Sequence, residues 1–183
     1  MARRLKGKEW YQIVAPQFFG DFVIGETPAL DASQLIGRTV EISLSDITND
    51  ATKYYMKFYF RIFEVKDNKA LTKFVGHDCT RDFLSRIVRR RTTRIDTNDV
   101  VNLQDNKIRV KSIAVTNRRV SQNVEKKIRK TIREMIINEL SKMKTEEFVR
   151  EMIDGKLQQK IRKNVNKIYP LRHFEFRKTE VIL

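Results

Sequence analysis

From Arg38 onward the chain alternates apolar and polar residues with a period of two. Val40, Ile42 and Leu44 are interleaved with Thr39, Glu41, Ser43 and Ser45, the pattern of a strand with one buried face. After a turn expected at Asn49-Asp50, Tyr54, Met56, Phe58, Phe60 and Ile62 lie on one face of a long strand, and Tyr55, Lys57, Tyr59, Arg61 and Phe63 on the other. Asp67-Asn68 tolerates the left-handed backbone of a tight hairpin, so Leu71–Val75 is the expected returning strand. Val100–Leu103, a turn at Asp105-Asn106 and Ile108–Val115 predict a second hairpin. Ile113 and Val115 are out of phase with Ile108 and Val110, which predicts a bulge near Ser112. Helical spacing appears first at Phe83, Leu84, Ile87 and Val88, with Thr80 as cap and Arg89-Arg90-Arg91 at the end. It returns in Val120, Val124, Ile128, Ile132, Met135, Ile136 and Leu140, then over Thr145–Ile153 and Lys156–Ile168, where Pro170 stops it. Residues 172–182 read as a final strand. The stretch punctuated by Gly20, Gly25, Pro28 and Gly37, after the short apolar segment Trp10–Val14, reads as loop.

The fold class expected is therefore α+β, with long basic helices in the C-terminal half. Its parts are a basic arm over residues 1–9 and one α+β domain over residues 10–183. That domain is mainly β over 38–116, mainly helical over 119–168, and closes on the strand 172–182. At 183 residues the chain is long enough to bury a core without cross-links. A single cysteine, Cys79, excludes an internal disulfide. No apolar run reaches the roughly 20 residues that span a bilayer, and the start of the chain does not have the pattern of a secretory signal.

Charge changes the picture most. Lys and Arg total 38 against 23 Asp and Glu, a formal net charge of +15. Residues 1–106 hold 17 basic and 14 acidic side chains, residues 107–183 hold 21 and 9, so the positive field is concentrated in the second part. Such a surplus repels itself unless a polyanion neutralises it, and nucleic acid does so with release of condensed counterions. Membrane headgroups fit less well, because no helix joins a basic face to an exposed Trp/Phe/Leu face.

The candidate RNA-binding residues follow from this field. Arg3, Arg4, Lys6 and Lys8 form the arm; Arg89, Arg90, Arg91 and Arg94 form a cluster after the first helix. On the long helix, at 100° per residue, Arg119, Lys126, Lys130 and Arg133 fall opposite Ile128, flanked by Lys127 and Arg129; Arg118 is a further candidate beside Arg119. Lys156, Lys160, Lys163 and Lys167 recur along one side of the last helix. Rigid, dense cations of this kind suit phosphate contacts, although a single stripe is equally the pattern of a solvated helix face. Tyr55, Tyr59 and Phe63 beside Lys57 and Arg61 have the composition of a base-stacking face. The C-terminal helices need a sheet to pack on, so the same face is read as core beneath them.

Catalytic and metal chemistry find little support. His77 and Cys79 fall short of the four ligands of a structural zinc site. Asp78, Asp82, Asp96 and Asp99 are explained by caps, turns and neighbouring arginines rather than by a magnesium cluster. Phosphate-binding and nucleophile-elbow motifs do not occur. No cofactor is expected, and no enzyme activity.

The segment Ile36-Gly37-Arg38-Thr39-Val40-Glu41-Ile42-Ser43-Leu44-Ser45-Asp46-Ile47, followed by Asn49-Asp50, resembles the signature of the archaeal and eukaryotic small-subunit ribosomal protein S3Ae family. Three further stretches agree in order: Lys8-Glu9-Trp10-Tyr11 with Ala15-Pro16, Gly76-His77-Asp78-Cys79-Thr80-Arg81-Asp82, and Ile168-Tyr169-Pro170-Leu171 with Phe176-Arg177-Lys178. The resemblance implies an antiparallel β-barrel-like core with flanking helices. It further implies a cytoplasmic protein in the ribosome, on the small-subunit platform near the messenger exit and the 3′ end of the ribosomal RNA. Neighbouring ribosomal proteins, and messenger RNA near the exit, are the other partners this position implies; a membrane is not among them. Arg38 joins the RNA-contact candidates from this motif. The ending at Leu183, without the longer tail of eukaryotic members, gives the expectation of an archaeal type. Two other readings share the charge: an RNA-binding regulator or chaperone acting off the ribosome, and an RNA-processing enzyme using Asp78 and Asp82. Co-sedimentation with small subunits at moderate salt separates the first from a ribosomal role, and magnesium-dependent cleavage identifies the second.

Overall fold

In a computed structural model of the protein, which describes residues 7–48 and 50–182, the period-two segments are strands and the helical stripes are helices. The chain divides into two units that meet between Gly76 and His77. The basic arm's Arg3, Arg4 and Lys6, and Asn49 of the expected turn, lie outside the described residues.

In the first unit β1 (Glu9–Val14) pairs antiparallel with β2 (Val23–Ala29). The stretch read as loop thus contains a strand. It tolerates Pro28 because an edge strand can do without one ladder donor. β3 (Thr39–Ser43) runs into the short helix α1 (Leu44–Thr48) and pairs antiparallel with β4 (Met56–Lys66). Asp67 and Asn68 both take positive φ, 46° and 61°, and turn the chain into β5 (Lys69–Cys79), which begins parallel to β1. Met56, Phe58, Phe60 and Ile62 are all buried, and Phe19 sets its ring edge-on to Phe58 and Phe60. The strand order is β2-β1-β5-β4-β3 and it is open. The expected barrel is therefore corrected: β2 and β3 are sheet ends, and near them Arg38 Nη1 donates to Thr27 Oγ1 at 2.9 Å and to the Pro28 carbonyl at 3.3 Å.

The second unit begins with the end of β5, then α2 (Arg81–Ile87), β6 (Arg94–Asn102) and β7 (Lys107–Thr116). α3 (Gln122–Leu140), α4 (Thr145–Asp154) and α5 (Lys156–Val165) follow, before β8 (Leu171–Ile182). β8 pairs with β7, and β7 with β6, both antiparallel. Ile128, Ile132, Ile136 and Leu140 of α3 are fully buried, each worth about 2 kcal/mol of apolar transfer before the entropy of ordering is subtracted. α3 is the one long C-terminal helix among the described residues; α4 and α5 have ten residues each. Gly155, at φ 76°, takes the left-handed conformation that ends α4 and lets α5 start at once. Asp105, from the β6–β7 turn, caps α4 from across the unit: its carboxylate accepts from the Thr145 amide at 3.0 Å and the Thr145 hydroxyl at 2.9 Å.

The irregularity expected near Ser112 is present, but the extra residue belongs to the strand that β7 pairs with. The ladder between β6 and β7 is regular; the irregularity lies between β7 and β8, where Lys111 faces Lys178 but Ser112 faces Phe176. The extra residue is thus Arg177 in β8. Ile113 and Val115 are apolar because they pack under α2, against Ile87, Phe83, Leu84 and Val88, so β7 is buried on both faces at that end.

Candidate nucleic-acid interface

The cations predicted on α3 are exposed, but they do not form one class. Arg133 Nε donates to Asp99 Oδ1 at 2.6 Å. Arg129, on the flank, donates to Glu125 at 2.6 Å and to the Asp96 carbonyl at 3.3 Å. Lys130 lies 3.8 Å from Glu134. Lys126 and Lys127 have no ion pair among the described residues. Together Lys126, Arg129, Lys130, Arg133, Glu134 and Ile137 line an open groove of about 350 Å³. Arg118 and Arg119 precede the helix, whose N-cap is Ser121, so the helical placement of Arg119 is corrected to the β7–α3 connection.

The stripe on α5 is reduced in the same way. Lys160 Nζ meets Glu139 Oε2 at 2.5 Å, and Lys156 Nζ meets Asp154 Oδ2 at 2.8 Å. The Asp154 carboxylate raises the Lys156 pKa. Lys163 remains exposed on the helix, and Lys167 lies beyond its end in the turn toward Pro170. Arg94 makes a bidentate pair with its own strand neighbour Asp96, at 2.8 and 3.1 Å. Lys8 is exposed at the start of the described chain. Arg38 is exposed while holding Thr27 and Pro28.

What the fold adds is a convergence that helix stripes could not show. β6 starts, β7 ends and β8 starts at the same end of the second unit's sheet, since Arg94 is opposite Val115 and Val115 is opposite His173. Three connections therefore meet there. Thr93 and Thr116 tie the first two: Thr93 N donates to Thr116 Oγ1 at 2.9 Å, Thr116 N to the Thr93 carbonyl at 3.0 Å, and Val120 N to Thr93 Oγ1 at 3.1 Å. Asn117 N donates to the Pro170 carbonyl at 3.3 Å and attaches the third. Arg89, Arg90, Arg91, Arg118, Arg119 and Lys167 sit in these connections, which contain no acidic residue, and Arg172 follows at the start of β8. Burial lowers the His173 pKa, and the positive fields of Arg172, Arg162 and Arg89 lower it further, as expected where like charges crowd.

Three basic groups escaped the sequence reading, of which Arg172 at the start of β8 is one. Arg162, whose Nε donates to the Leu171 carbonyl at 3.3 Å, lies outside the lysine stripe on α5. Lys107, Arg109 and Lys111 share the open face of β7, and their period of two is visible in the sequence. There Glu180 draws Arg109 to 3.6 Å and Lys178 to 2.8 Å.

Of the residues weighed for metal or acid chemistry, Asp82 is exposed in the first turn of α2, and the others are occupied with the fold. His77 is buried between Thr179 Oγ1, 2.6 Å from Nδ1, and the Phe176 carbonyl, 2.9 Å from Nε2. Burial pushes its pKa down to about 4. The Cys79 thiol donates to the same carbonyl at 3.3 Å, and burial pushes its pKa up. Asp96 and Asp99 pair with arginines, and Asp78 faces Lys178 at 4.0 Å. Among the described residues no three His, Cys, Asp or Glu side chains gather as a metal site, and no helix is long and apolar enough to cross a membrane.

Comparison with known proteins gives one consistent result. The model of the Ribosomal S3Ae family matches residues 2–183. The chain is 40% identical over 179 residues to the small ribosomal subunit protein eS1 of Desulfurococcus amylolyticus, covering 97% of this chain and 84% of that one. It is 39% identical over 178 residues to eS1 of Archaeoglobus fulgidus, covering 96% and 84%. For eS1 of Sulfurisphaera tokodaii the identity is 39% over 178 residues, covering 97% and 92%.

Proposed function

The chain belongs to the Ribosomal S3Ae family, and from that membership we propose that it is built into the small ribosomal subunit and binds ribosomal RNA with the acid-free connections of its second unit. The family is one of ribosomal structural components rather than enzymes. The observation that carries the RNA reading is the meeting of Arg89–Arg91, Arg118, Arg119, Lys167 and Arg172 at one end of the sheet, without a carboxylate among them to cancel their field. Phosphates recognise cations held on a rigid frame, and the threonine and carbonyl bonds between the connections supply that frame. Lys126 and Lys127, in the first turns of α3, extend the surface; Lys163 adds to it from α5. A place on the platform near the messenger exit and the 3′ end of the ribosomal RNA, among neighbouring ribosomal proteins, completes the proposal. In this reading residues 10–183, with both units, form one RNA-binding domain with a basic arm before it.

The test is the salt dependence of binding to a small-subunit ribosomal RNA fragment. Arg118→Gln with Arg119→Gln lowers the log–log slope by about two, one for each phosphate left without its cation, at unchanged thermal stability. An unchanged slope would place the RNA elsewhere. Co-sedimentation with small subunits at moderate salt separates the ribosomal role from a free regulator, which washes off.

A further inference from the structure

The face of β4 that turns away from the first unit's core is not an ordinary polar surface. Lys57, Tyr59, Arg61 and Phe63 alternate with the buried Met56, Phe58, Phe60 and Ile62 and so stand on one side of the strand. Phe63 is 48% exposed; Tyr59 and Arg61 are half-buried. Glu41 of β3 sits opposite Tyr59, accepts from Lys57 Nζ at 2.6 Å and hydrogen-bonds the Tyr59 side chain, which fixes that ring. Arg61 is different. Its neighbour across the ladder is Thr39, and its Nε is shielded from solvent with no hydrogen-bond partner among the described residues. Buried donors in folded proteins are nearly always satisfied, so Arg61 is a side chain whose hydrogen-bonding capacity its own unit leaves unused. Side chains four residues apart on a strand are separated by roughly 13 Å, so Tyr59 and Phe63 bracket the guanidinium. On β5, Lys69 and Lys73 alternate with the buried Ala70, Thr72 and Phe74 and share their side with the half-buried Leu71 and Val75, which adds positive charge to that side.

We propose that this face is a stacking platform for unpaired RNA bases: the rings of Tyr59 and Phe63 receive base faces, and Arg61 between them meets a phosphate or base edge. The inference rests on the RNA-binding reading and deepens it by adding single strands as a second class of ligand, held by a different unit. Aromatic rings interleaved with cations on a sheet suit splayed-out bases, whose faces stack whatever their sequence. Charge decides against an apolar protein partner. The carboxylate of Glu41 is engaged by Lys57, so Arg61, Lys69 and Lys73 leave the face positive.

The experiment compares a labelled ten-nucleotide oligouridine with an RNA hairpin carrying the same number of phosphates, both bound to the full chain. Phe63→Leu and, separately, Arg61→Gln weaken oligouridine binding by about tenfold, the loss expected for one stacked base, and leave the hairpin unchanged. Phe63→Trp keeps oligouridine binding, which separates loss of the ring from loss of fold. Equal losses for both RNAs, or none for oligouridine, overturn the platform. The pair Arg118→Gln and Arg119→Gln is measured alongside: if it changes nothing, the RNA reading of the second unit fails independently of this one. In assembled small subunits supplied with a messenger oligonucleotide, a benzophenone amino acid in place of Phe63 identifies the source of the strand. Crosslinks to ribosomal RNA or to the messenger each support the proposal; crosslinks to protein alone refute it.

Discussion

Arg133 belongs by sequence to the RNA-binding cations, yet its strongest partner is inside the protein, and neutralising it tests which role dominates. Asp99 stands at an inward position of β6 with its side chain 2% exposed, and Arg133, itself 55% exposed, reaches in to donate at 2.6 Å. The other oxygen, Oδ2, has no partner among the described residues, so this one bond carries most of the compensation for a buried charge. Removing one partner of a buried pair costs about 3–5 kcal/mol. The half-exposed guanidinium is partly screened by water, which places the expected loss for Arg133→Gln at about 2–3 kcal/mol. For a chain of this size that is a fall of roughly 5–10 °C in Tm. Urea denaturation at neutral pH measures it. The decisive variant is the double change Arg133→Gln with Asp99→Val, which removes the stranded carboxylate and recovers most of the loss. If the single variant is as stable as the parent, or the double variant is no better than the single, Asp99 is not held by Arg133 in the way the geometry implies.

Three further outcomes follow from polar groups that the fold engages. The pKa of His77 is pushed down from 6.5 to about 4 and that of Glu175 up from 4.5 to about 7, both by burial. His77 therefore contributes stability that is lost as pH falls from 6.5 toward 4, whereas Glu175 contributes stability lost as pH rises from 4.5 toward 7. Each slope is about 1.4 kcal/mol per pH unit, and they oppose one another between pH 4.5 and 6.5. Urea midpoints are then nearly flat in the parent over that window, and Glu175→Gln exposes a stability that rises with pH; a variant as flat as the parent refutes the pairing. Cys79, buried and bonded to the Phe176 carbonyl, stays unlabelled by a thiol-specific reagent until denaturant is added, and labelling at the rate of a free thiol in buffer counts against its burial. Asp105→Ala removes the cap of α4 and costs about 1–2 kcal/mol, read as a lowered urea midpoint.

The parts of the fold that are legible in the sequence are those whose burial follows a single period. β4, α3, α4 and the Asp67-Asn68 turn belong to this class. β6 reads as four residues in the sequence and has nine, because two of its inward positions are polar: Thr97 bonds Ser112 at 2.7 Å and Asp99 pairs with Arg133, and neither partnership leaves a hydrophobic signal. β2 is hidden by Gly25 and Pro28, which an edge strand tolerates. The aromatic face of β4 reads as core beneath the C-terminal helices; those helices instead pack on β6 and β8 of their own unit. Individual cations are legible as exposed. Their grouping is not, because it depends on which ends of β6, β7 and β8 coincide, a fact of topology rather than of local pattern.

Pairing also decides how the surplus charge acts. A cation with a carboxylate at 2.5–2.8 Å presents a dipole to RNA, and at physiological salt that field fades within about 8 Å. Lys160 with Glu139, Lys156 with Asp154, Arg94 with Asp96 and Arg133 with Asp99 are of this kind. To release counterions from RNA they must first give up a partner, and for Arg133 that partner is buried. Arg89, Arg90, Arg91, Arg118, Arg119, Lys126, Lys127, Lys163 and Lys167 have no such carboxylate to leave among the described residues. The helix stripes that suggest RNA from sequence thus serve the fold in part, and the net charge resolves into two populations. One is held by carboxylates of its own unit; the other remains monopolar, gathers mainly where three loops meet, and is the population whose field a polyanion can cancel.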